Sequence, residues 1–489
     1  MHNRNYVLYW LASMCSEFGS ITLQFVISLY VFDLTGNSVL YGTLLFIAIV
    51  PRLVFYPLAG MLADRYDRRL LLLVPTGCAA IVLFAFTAIE LFVMPLGVAS
   101  LFVLVILLEV FNIFFMSANL SVPPMIVSRQ QLGAANSMGI LYSDFGYVIG
   151  MVVGALVYGL LGFTWSLLAI SLCFALGFVF IIPLRLVQAS NAAAQGARAG
   201  RAEAAALGDA STGEKSVGPR AAREPQVPAG AREPQVPATP ARPTAPARQL
   251  APARPAATSA FDPDQLVAAS SLRGFLAEIT LGVRVVLKDR TLLIIFIVST
   301  AFNFFCVPIW DVVLLFFARG DLGLGPIGYG VFSSVQAIGD LVIAFVAAQY
   351  YTDARALRFL RICPVAFVAA LAIMLVSGFI AGHAPLPVVL VVAAFGSAVL
   401  AMMATIFIIS RNTIIQKRVR EDNLARVFSV SRMTALVALP LGNLAFGFLV
   451  AHSGYLGSLT VSIVATALLI TVTLGLRVGH RRAGDAAPL

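Results

Sequence analysis

The sequence has few charged residues for its length. Only 11% of its 489 residues are Asp, Glu, Lys or Arg, and 60% are hydrophobic, whereas soluble globular proteins carry about 25% charged residues. So small a polar fraction is insufficient to cover the surface of a water-soluble protein of this length. The composition therefore excludes a soluble fold and indicates that lipid surrounds most of the chain.

Residue types that hold metals or form disulfides are also scarce. The chain has five cysteines and four histidines; no two cysteines show Cys-x-x-Cys spacing, and the histidines do not cluster with them. We therefore predict neither a disulfide framework nor a metal site. The sequence also lacks a phosphate-binding glycine loop followed by Lys and Ser or Thr, a nucleophile elbow and a metal-binding pair of histidines. We therefore predict that the protein is not an enzyme, has no cofactor and has no ATP site.

The formal net charge is +10, which in a soluble domain would suggest nucleic-acid binding. Here the basic residues lie in short gaps between apolar runs, not on a basic face with aromatic neighbours. We interpret them as charges that set membrane topology, and we predict no nucleic-acid partner.

Twelve apolar runs are long enough to cross a bilayer core, which takes about 20 helical residues. They must be helical, because a single span satisfies its own backbone groups only as a helix. The first run is too long for a signal peptide and no small-residue cleavage site follows it, so we expect no cleavable signal. The runs lie at residues 6–32, 39–62, 70–93, 98–120, 136–160, 164–187, 291–317, 328–350, 361–381, 386–410, 425–451 and 457–477.

Basic residues are concentrated in alternate gaps between these runs. The opposite gaps hold almost none, and Arg319 is the exception. This bias predicts that both termini are cytoplasmic, which requires an even number of spans. The basic residues that set the bias are Arg4, Arg65, Arg68, Arg69, Arg129, Arg355, Arg358, Lys417, Arg418, Arg420, Arg481 and Arg482.

Residues 188–271 interrupt the apolar pattern. They are rich in Ala, Pro, Arg and Gly, and a nine-residue unit, AREPQVPAG and then AREPQVPAT, occurs at 222–230 and 231–239. Such a segment buries too little apolar surface to fold, so we predict a disordered cytoplasmic linker, with a docking role as the alternative. Residues 272–289 follow with apolar residues at helical spacing and interspersed charges, which predicts an amphipathic helix on the membrane surface.

The parts of the sequence on either side of this linker contain similar segments at equivalent positions. VSRQQLGAANSM at 127–138 and QKRVREDNLARVFSV at 416–430 occupy equivalent gaps in the two parts. Paired six-helix halves are typical of secondary transporters. We therefore predict bundles at 1–187 and 290–478 and a cytoplasmic tail at 479–489.

The gap between the second and third runs reads GMLADRYDRR, at residues 60–69. It resembles the signature loop of the major facilitator superfamily, G-x-L-A-D-R-x-G-R-R/K, with Asp67 in place of the usual glycine. Asp also accepts turn conformations, so the change is compatible with the motif. WLASMCSEFGS in the first run and PMIVSRQQLGAANSM before the fifth resemble the macrolide-efflux and enterobactin-exporter-like subgroup.

The resemblance implies an all-α polytopic membrane protein with twelve transmembrane helices in two pseudo-symmetric six-helix bundles. It also implies that the signature loop latches the two halves together on the cytoplasmic side during alternating access. The alternative is that its arginines only set topology. The residues of this predicted cytoplasmic gate are Gly60, Asp64, Arg65, Arg68 and Arg69.

Ionisable residues at bilayer depth are costly and usually face a cavity or a partner. Counting residues from the span ends places Glu17, Arg52 and Asp144 near one level, and Glu109 in the centre of its span. We hypothesise that Glu17 pairs with Arg52, which would leave Asp144 or Glu109 free to titrate. The alternative is a fixed structural ion pair.

The second half offers two further cavity candidates. Asp340 is central in the eighth run, and Arg432 lies about two turns into the eleventh. By the same count Glu90 and Asp311 fall near the outer ends of their runs, where we expect them at the membrane interface.

The fifth run carries Gly146, Gly150 and Gly154 at four-residue spacing. The spacing is typical of close helix packing. Exporters of the superfamily show a related glycine motif in this span, but Met151 and Ala155 stand where that motif has Pro and Gly. The glycines therefore leave packing and an exporter motif as alternatives.

Together these features predict a monomeric exporter in the bacterial cytoplasmic membrane. Its substrate would be an amphipathic small molecule such as a drug, a macrolide-like compound or a siderophore, and its partners would be membrane lipid and protons taken in antiport. A lysophospholipid or lipid flippase of the same fold is one alternative. A non-transporting membrane sensor or assembly factor is another.

Overall fold

The computed structural model describes residues 4–119, 122–127, 132–184, 272–351 and 356–474. Within these helices some side chains are not described, namely those of residues 53–54, 57, 60–61, 63–65, 124, 132–145, 272–279, 348–349, 421–422, 425 and 472–474. The predicted linker and the predicted cytoplasmic tail lie outside the described residues.

Helices make up nearly all of the described part of the first half. The predicted run at 39–62 is divided between two of them near Ile49, because Pro51 has no N–H to donate and its ring crowds the carbonyl one turn earlier. The helices are α1 Arg4–Thr35, α2 Ser38–Ile47, α3 Val50–Arg65, α4 Arg68–Phe92, α5 Val98–Asn119, α6 Pro123–Ile126, α7 Leu132–Leu161 and α8 Phe163–Ile181.

The second half begins with the amphipathic segment, which forms α9, Leu272–Lys288. Asp289 ends it and caps the next helix, since its Oδ1 accepts hydrogen bonds from Thr291 N and Leu292 N at 2.7 and 3.3 Å. The remaining α-helices are α10 Arg290–Phe305, α11 Leu314–Phe316, α12 Pro326–Tyr350, α13 Ala356–Ile380, α14 Leu386–Arg418 and α15 Glu421–Leu474, which bends at Gly454.

Two π-helical segments, Ile309–Val313 and Phe317–Asp321, flank α11. Pro308 precedes the first segment and has no N–H for a regular i to i−4 bond. The seventh apolar stretch is therefore distorted and runs on to Asp321, four residues beyond the predicted limit of 317. Segments of π-helix occur frequently at functional sites.

Nine helical stretches of the described residues are long and apolar enough to cross a membrane. One of them, Arg426–Thr471, covers the last two predicted runs, and the shorter apolar helices Ser38–Arg52 and Gly146–Leu161 correspond to the second and fifth. The fold is an all-α polytopic membrane fold, and the count of twelve spans stays a prediction.

The helices alternate in direction, so their ends lie on two opposite faces. On one, the Thr35 face, the Tyr30 hydroxyl donates to the Leu96 carbonyl at 2.9 Å and the rings of Phe317 and Tyr455 stack at 3.6 Å. On the other, the Arg65 face, Tyr9 donates to the Asn119 carbonyl at 3.0 Å. All five described glycines with positive φ lie in turns or bends of the Thr35 face, at Gly36, Gly162, Gly323, Gly382 and Gly454.

The two halves pack together through two pairs of helices, α2 with α15 and α7 with α12. The first contact is close: the Ser38 hydroxyl donates to the Gly447 carbonyl at 2.8 Å, and a Cβ on Gly42 would lie 2.6 Å from the Asn443 carbonyl. The main apolar core runs through both halves, and a smaller core at the Arg65 face belongs to the first half. The halves therefore meet closely at the Thr35 face.

Candidate functional site

A cavity of about 250 Å³ lies in the first half, and we call it the central cavity. Three of the predicted charged residues line it: Glu17 from α1, Arg52 from α3 and Glu109 from α5. The structure therefore brings together side chains that are far apart in sequence. The rest of its wall mixes polar groups with apolar ones, including Ser20, Gln24, Asn112, Phe111, Phe115, Met116 and Phe174.

Arg52 forms its ion pair with Glu109. Its Nε lies 2.5 Å from Glu109 Oε1, and the Glu109 side chain is only 12% exposed. We had expected Glu17 to pair with Arg52 and had counted Glu109 among the acids free to titrate, so the assignment of Glu109 is corrected. Sequence distance along each span gave the depth of these groups, but the partner depends on how each helix is rotated.

A second cavity, of about 80 Å³, lies between the two halves. It shares Ile21, Gln24 and Tyr41 with the wall of the central cavity. Its second-half wall includes Asp311, which we had expected at the membrane interface. The prediction was wrong because it ended the seventh span four residues early, whereas the π-distorted stretch runs on beyond Asp311 to residue 321.

Asp311 accepts a hydrogen bond from Asn443 Nδ2 at 3.0 Å. Asn443 is buried on α15 and neutral, so it orients the carboxylate without compensating its charge. Near Asp311, Trp310 donates its indole N–H to the Ser397 hydroxyl at 3.2 Å. The second cavity is therefore lined by an acid held in place by a neutral amide.

An ion pair joins the two halves at the Thr35 face. Arg319 of the second half pairs with Asp33 of α1, and the Tyr158 hydroxyl donates to the other Asp33 oxygen at 2.7 Å. The Arg319 side chain is 8% exposed, donates to the Leu324 carbonyl at 2.9 Å and has its guanidinium carbon 5.3 Å from the centre of the Phe32 ring. We call this group the Asp33–Arg319 bridge. From the sequence Arg319 was only an exception to the charge bias.

The other predicted cavity residues lie elsewhere. Asp340 accepts a hydrogen bond from the Thr405 hydroxyl at 2.9 Å, and Arg432 is exposed. Neither contributes to the described lining of the two cavities. The side chain of Asp144, on α7, lies outside the described residues.

The signature loop is described in part. The side chains of Gly60, Asp64 and Arg65 lie outside the described residues, so the latch stays a prediction. Arg68 Nη1 donates to Met125 Sδ at 3.1 Å, and Arg69 donates to the Ile182 carbonyl. Asp67, the departure from the motif, caps α4, since its Oδ1 accepts from Arg69 N at 2.9 Å.

The glycines of α7 pack against α1. A Cβ on Gly150 would lie 3.1 Å from Thr22 Oγ1, and one on Gly154 would lie 3.2 Å from Thr22 Cγ2. At Gly146 the nearest atom, Ile21 Cδ1, would be 4.0 Å away. The spacing therefore serves close packing of these helices at Gly150 and Gly154.

Across the described residues, no group of three or more His, Cys, Asp and Glu side chains is arranged to hold a metal ion. The five cysteines are free thiols. The site is thus built from ion pairs, hydroxyls, amides and aromatic rings.

The arrangement of two helical halves around polar cavities is matched by a sequence family. The family model of the Major Facilitator Superfamily matches residues 9–410 of the chain. The chain belongs to the Major Facilitator Superfamily. It is therefore a transmembrane transporter, and membership in this superfamily bears out the resemblance of its signature loop.

Among curated proteins, the Major Facilitator Superfamily chain is similar to macrolide efflux protein A of Streptococcus pyogenes, with 26% identity over 172 residues. That match covers 35% of this chain and 41% of the relative, so the chain spans less than half the length of the relative it matches.

Solved structures share the fold at low identity. The nucleoside transporter NupG is 13% identical, with a TM-score of 0.59 over 97% of this chain and 98% of that one. A bacterial homologue of the iron transporter ferroportin in an inward-facing state is 11% identical, with a TM-score of 0.62 over 97% and 99%.

Proposed function

We propose that this transporter exports an amphipathic small molecule, such as a drug, a macrolide-like compound or a siderophore, by alternating access. The observation that carries the proposal is the central cavity, in which the Arg52–Glu109 ion pair and Glu17 share a wall with aromatic rings. Apolar walls with a few fixed polar groups are typical of sites for such ligands. The partial similarity to a macrolide efflux protein supports the direction of transport.

Alternating access requires contacts that break when the outer side opens. The Asp33–Arg319 bridge, the Ser38–Gly447 hydrogen bond and the stacked rings of Phe25 and Tyr329, 5.5 Å apart, all join the two halves. With both termini in the cytoplasm of a bacterial cell, the Thr35 face is the outer face. The arrangement then corresponds to a carrier closed to the outside, with its predicted cytoplasmic gate in the Gly60–Arg69 loop.

Proton antiport is the energy source in this proposal. Glu17 lines the central cavity, and α7 carries Asp144 on the chain segment that packs against α1. The Arg52–Glu109 ion pair supplies a fixed polar wall of the central cavity. We propose Glu17 and Asp144 as the acids that gain and lose the coupled proton.

A lipid flippase is the second candidate, and one feature favours it. A hollow of about 450 Å³, lined mostly by apolar side chains, lies along α3, α4 and α5. It shares Pro75 and Phe111 with the wall of the central cavity. A lipid tail in this hollow would lie beside the central cavity.

Transport by purified protein in proteoliposomes tests the proposal. We expect uptake of a fluorescent macrolide-like amphiphile into vesicles to depend on an imposed pH gradient in the wild-type protein. Glu17→Gln and Asp144→Asn should remove that dependence, because neither amide titrates. Asp321→Asn, a matched change outside both cavities, is the control.

Each alternative gives a different result. Movement of a lysophospholipid without any pH gradient would favour the flippase. Absence of transport of every probe, with the protein folded and monodisperse, would favour a sensor. If both amide variants keep the full pH dependence, the assignment of the coupled proton to these two acids is wrong.

A further inference from the structure

We infer that the second cavity binds the protonated amine of a cationic amphiphile through Asp311, while the apolar body of the same molecule occupies the central cavity. The inference rests on the proposed function and names the class of substrate, a cationic amphiphile.

The charge around Asp311 favours a cation. The described ion pairs place Arg52 with Glu109 and Arg319 with Asp33, and no described basic side chain lies within 4.0 Å of Asp311. Its carboxylate accepts a hydrogen bond from the neutral amide of Asn443. A carboxylate removed from water without a cation is costly, and a protonated amine supplies both the missing charge and an N–H donor.

The aromatic residues around Asp311 favour an organic cation over a hydrated metal ion. Five aromatic residues line the second cavity together with Asp311, namely Tyr41, Tyr147, Trp310, Tyr329 and Phe332. Aromatic rings attract ammonium groups through their negative faces, and clusters of such rings are used to recognise alkylated ammonium groups.

The sizes of the two cavities define the shape of the ligand. The second cavity, about 80 Å³, has room for an alkylammonium group, and the central cavity, about 250 Å³, has room for the larger part of a molecule. Ile21, Gln24 and Tyr41 line both cavities, so the two are neighbours. Our inference places one molecule across both, past these three side chains. An amphiphile with its amine on a short arm fits this arrangement.

The two basic residues among the predicted cavity candidates do not favour an anionic ligand. Arg52 is already paired with Glu109 in the central cavity. Arg432, the other basic candidate, is exposed and lines neither cavity in the described part of the chain. The acids of the two cavities outnumber their bases, with Glu17, Glu109 and Asp311 against Arg52.

A pair of isosteric probes tests the assignment by binding alone. The first is a dansyl amide with a 3-(dimethylamino)propyl arm, which is cationic at neutral pH, and the second has a 4-methylpentyl arm, in which CH replaces the amine nitrogen. Binding is followed by dansyl fluorescence with the full-length protein in nanodiscs. We expect the wild-type protein to bind the amine about tenfold more tightly than its neutral isostere, the size of a charge-assisted hydrogen bond.

Three variants identify the group responsible. Asp311→Asn should bind the two probes equally, Asp311→Glu should keep a preference for the amine, and Asp321→Asn, on the same distorted stretch, should behave as wild type. Equal affinity of the wild-type protein for the two probes, including no binding of either, would overturn the inference. An amine preference that persists in Asp311→Asn would overturn it as well.

Failure of the proposed function has a separate signature. If the protein prefers the amine in nanodiscs but moves neither probe in proteoliposomes, the cation site is supported and the proposed transport function is wrong. If the protein moves both probes equally well and shows no preference in binding, the proposed transport function is supported and the cation site is wrong.

Discussion

Two ion pairs of this transporter differ in what they connect. Arg52 and Glu109 belong to one half, on α3 and α5, and line the central cavity, whereas Asp33 and Arg319 join the two halves at the Thr35 face. A rigid-body movement of one half against the other leaves the first pair intact and breaks the second. In the proposed mechanism the first pair is therefore part of the site, and the second holds the Thr35 face closed.

The surroundings of the two pairs fit this division. The Asp33–Arg319 bridge carries extra bonds from Tyr158 and to the Leu324 carbonyl, so its energy is spread over both halves. The Arg52–Glu109 pair lines the central cavity. Each pair has one enclosed and one partly exposed member, since Arg319 and Glu109 are 8% and 12% exposed whereas Asp33 and Arg52 are 36% and 35% exposed. The two pairs therefore differ in what they join and in their additional hydrogen bonds, and not in their exposure.

The largest expected effect comes from reversing the charge of Arg319. In Arg319→Asp two carboxylates would face each other between the halves, at a cost of about 2 kcal/mol to the closed arrangement, because an attraction becomes a repulsion, discounted for the 36% exposure of the Asp33 side chain. We expect a cysteine at Ser38, in a protein without the five native cysteines, to react with a maleimide far faster in this variant.

The exchanged pair is the control for that experiment. Asp33→Arg combined with Arg319→Asp restores opposite charges across the same gap and should slow the labelling of Ser38→Cys again. Unchanged labelling in the single variant would show that the bridge does not hold the Thr35 face closed.

A smaller effect is expected for the pair inside the first half. Arg52→Met leaves Glu109, which is mostly buried, without its partner and should lower the free energy of unfolding by about 1 to 2 kcal/mol, discounted for the exposure of Arg52. The double variant Arg52→Met with Glu109→Leu should recover most of this loss. Thermal unfolding in detergent measures both.

The same variant also shows whether the two ion pairs act independently. Labelling of Ser38→Cys should not change in Arg52→Met, because the pair does not join the halves. Additive losses from the single variants Arg52→Met and Glu109→Leu in a double-mutant cycle would contradict a coupled pair.

The fold was largely readable from the sequence, and the partners of the charged groups were not. Apolar length and the signature loop predicted helices and superfamily. The depth count put Glu17, Arg52 and Asp144 near one level; the structure places Glu17 and Arg52 on one cavity together with Glu109, and the side chain of Asp144 lies outside the described residues. The pairing of Arg52 depends on the rotation of three helices about their axes, which a depth count does not contain. Sequence alone therefore indicates which charged residues lie at the depth of the site, but it does not predict which of them pair with each other.

The sequence-based prediction failed most clearly where the backbone is irregular, at Asp311. A straight helix puts Asp311 near the membrane surface, but the stretch from Pro308 to Asp321 contains two π-helical segments and extends past the predicted end. Pro308 was the available signal, since proline removes a backbone donor. Arg319 was visible as the exception to the charge bias, but its partner Asp33 lies in the other half.

The smallest expected effect comes from adding a methyl group at the contact between the halves. A Cβ on Gly447 would lie 2.6 Å from the Ser38 carbonyl and 3.3 Å from Gly42 Cα, all backbone atoms of the facing half. Because backbone cannot rotate away as a side chain does, Gly447→Ala should weaken closure of the Thr35 face by about 1 kcal/mol, or about fivefold in its opening equilibrium. The rate of labelling of Ser38→Cys should rise accordingly.

Gly146→Ala is the matched control, because its nearest neighbour would be 4.0 Å away and belongs to the same half. An added methyl there has room, and alanine favours the helix by up to about 1 kcal/mol over glycine, so neither labelling nor thermal stability should fall. If Gly447→Ala lowers thermal stability without any change in labelling, the α2–α15 contact stabilises the fold and does not respond to the opening of the carrier. The distinction between contacts that hold a half together and contacts that join the halves would then have to rest on the Asp33–Arg319 bridge alone.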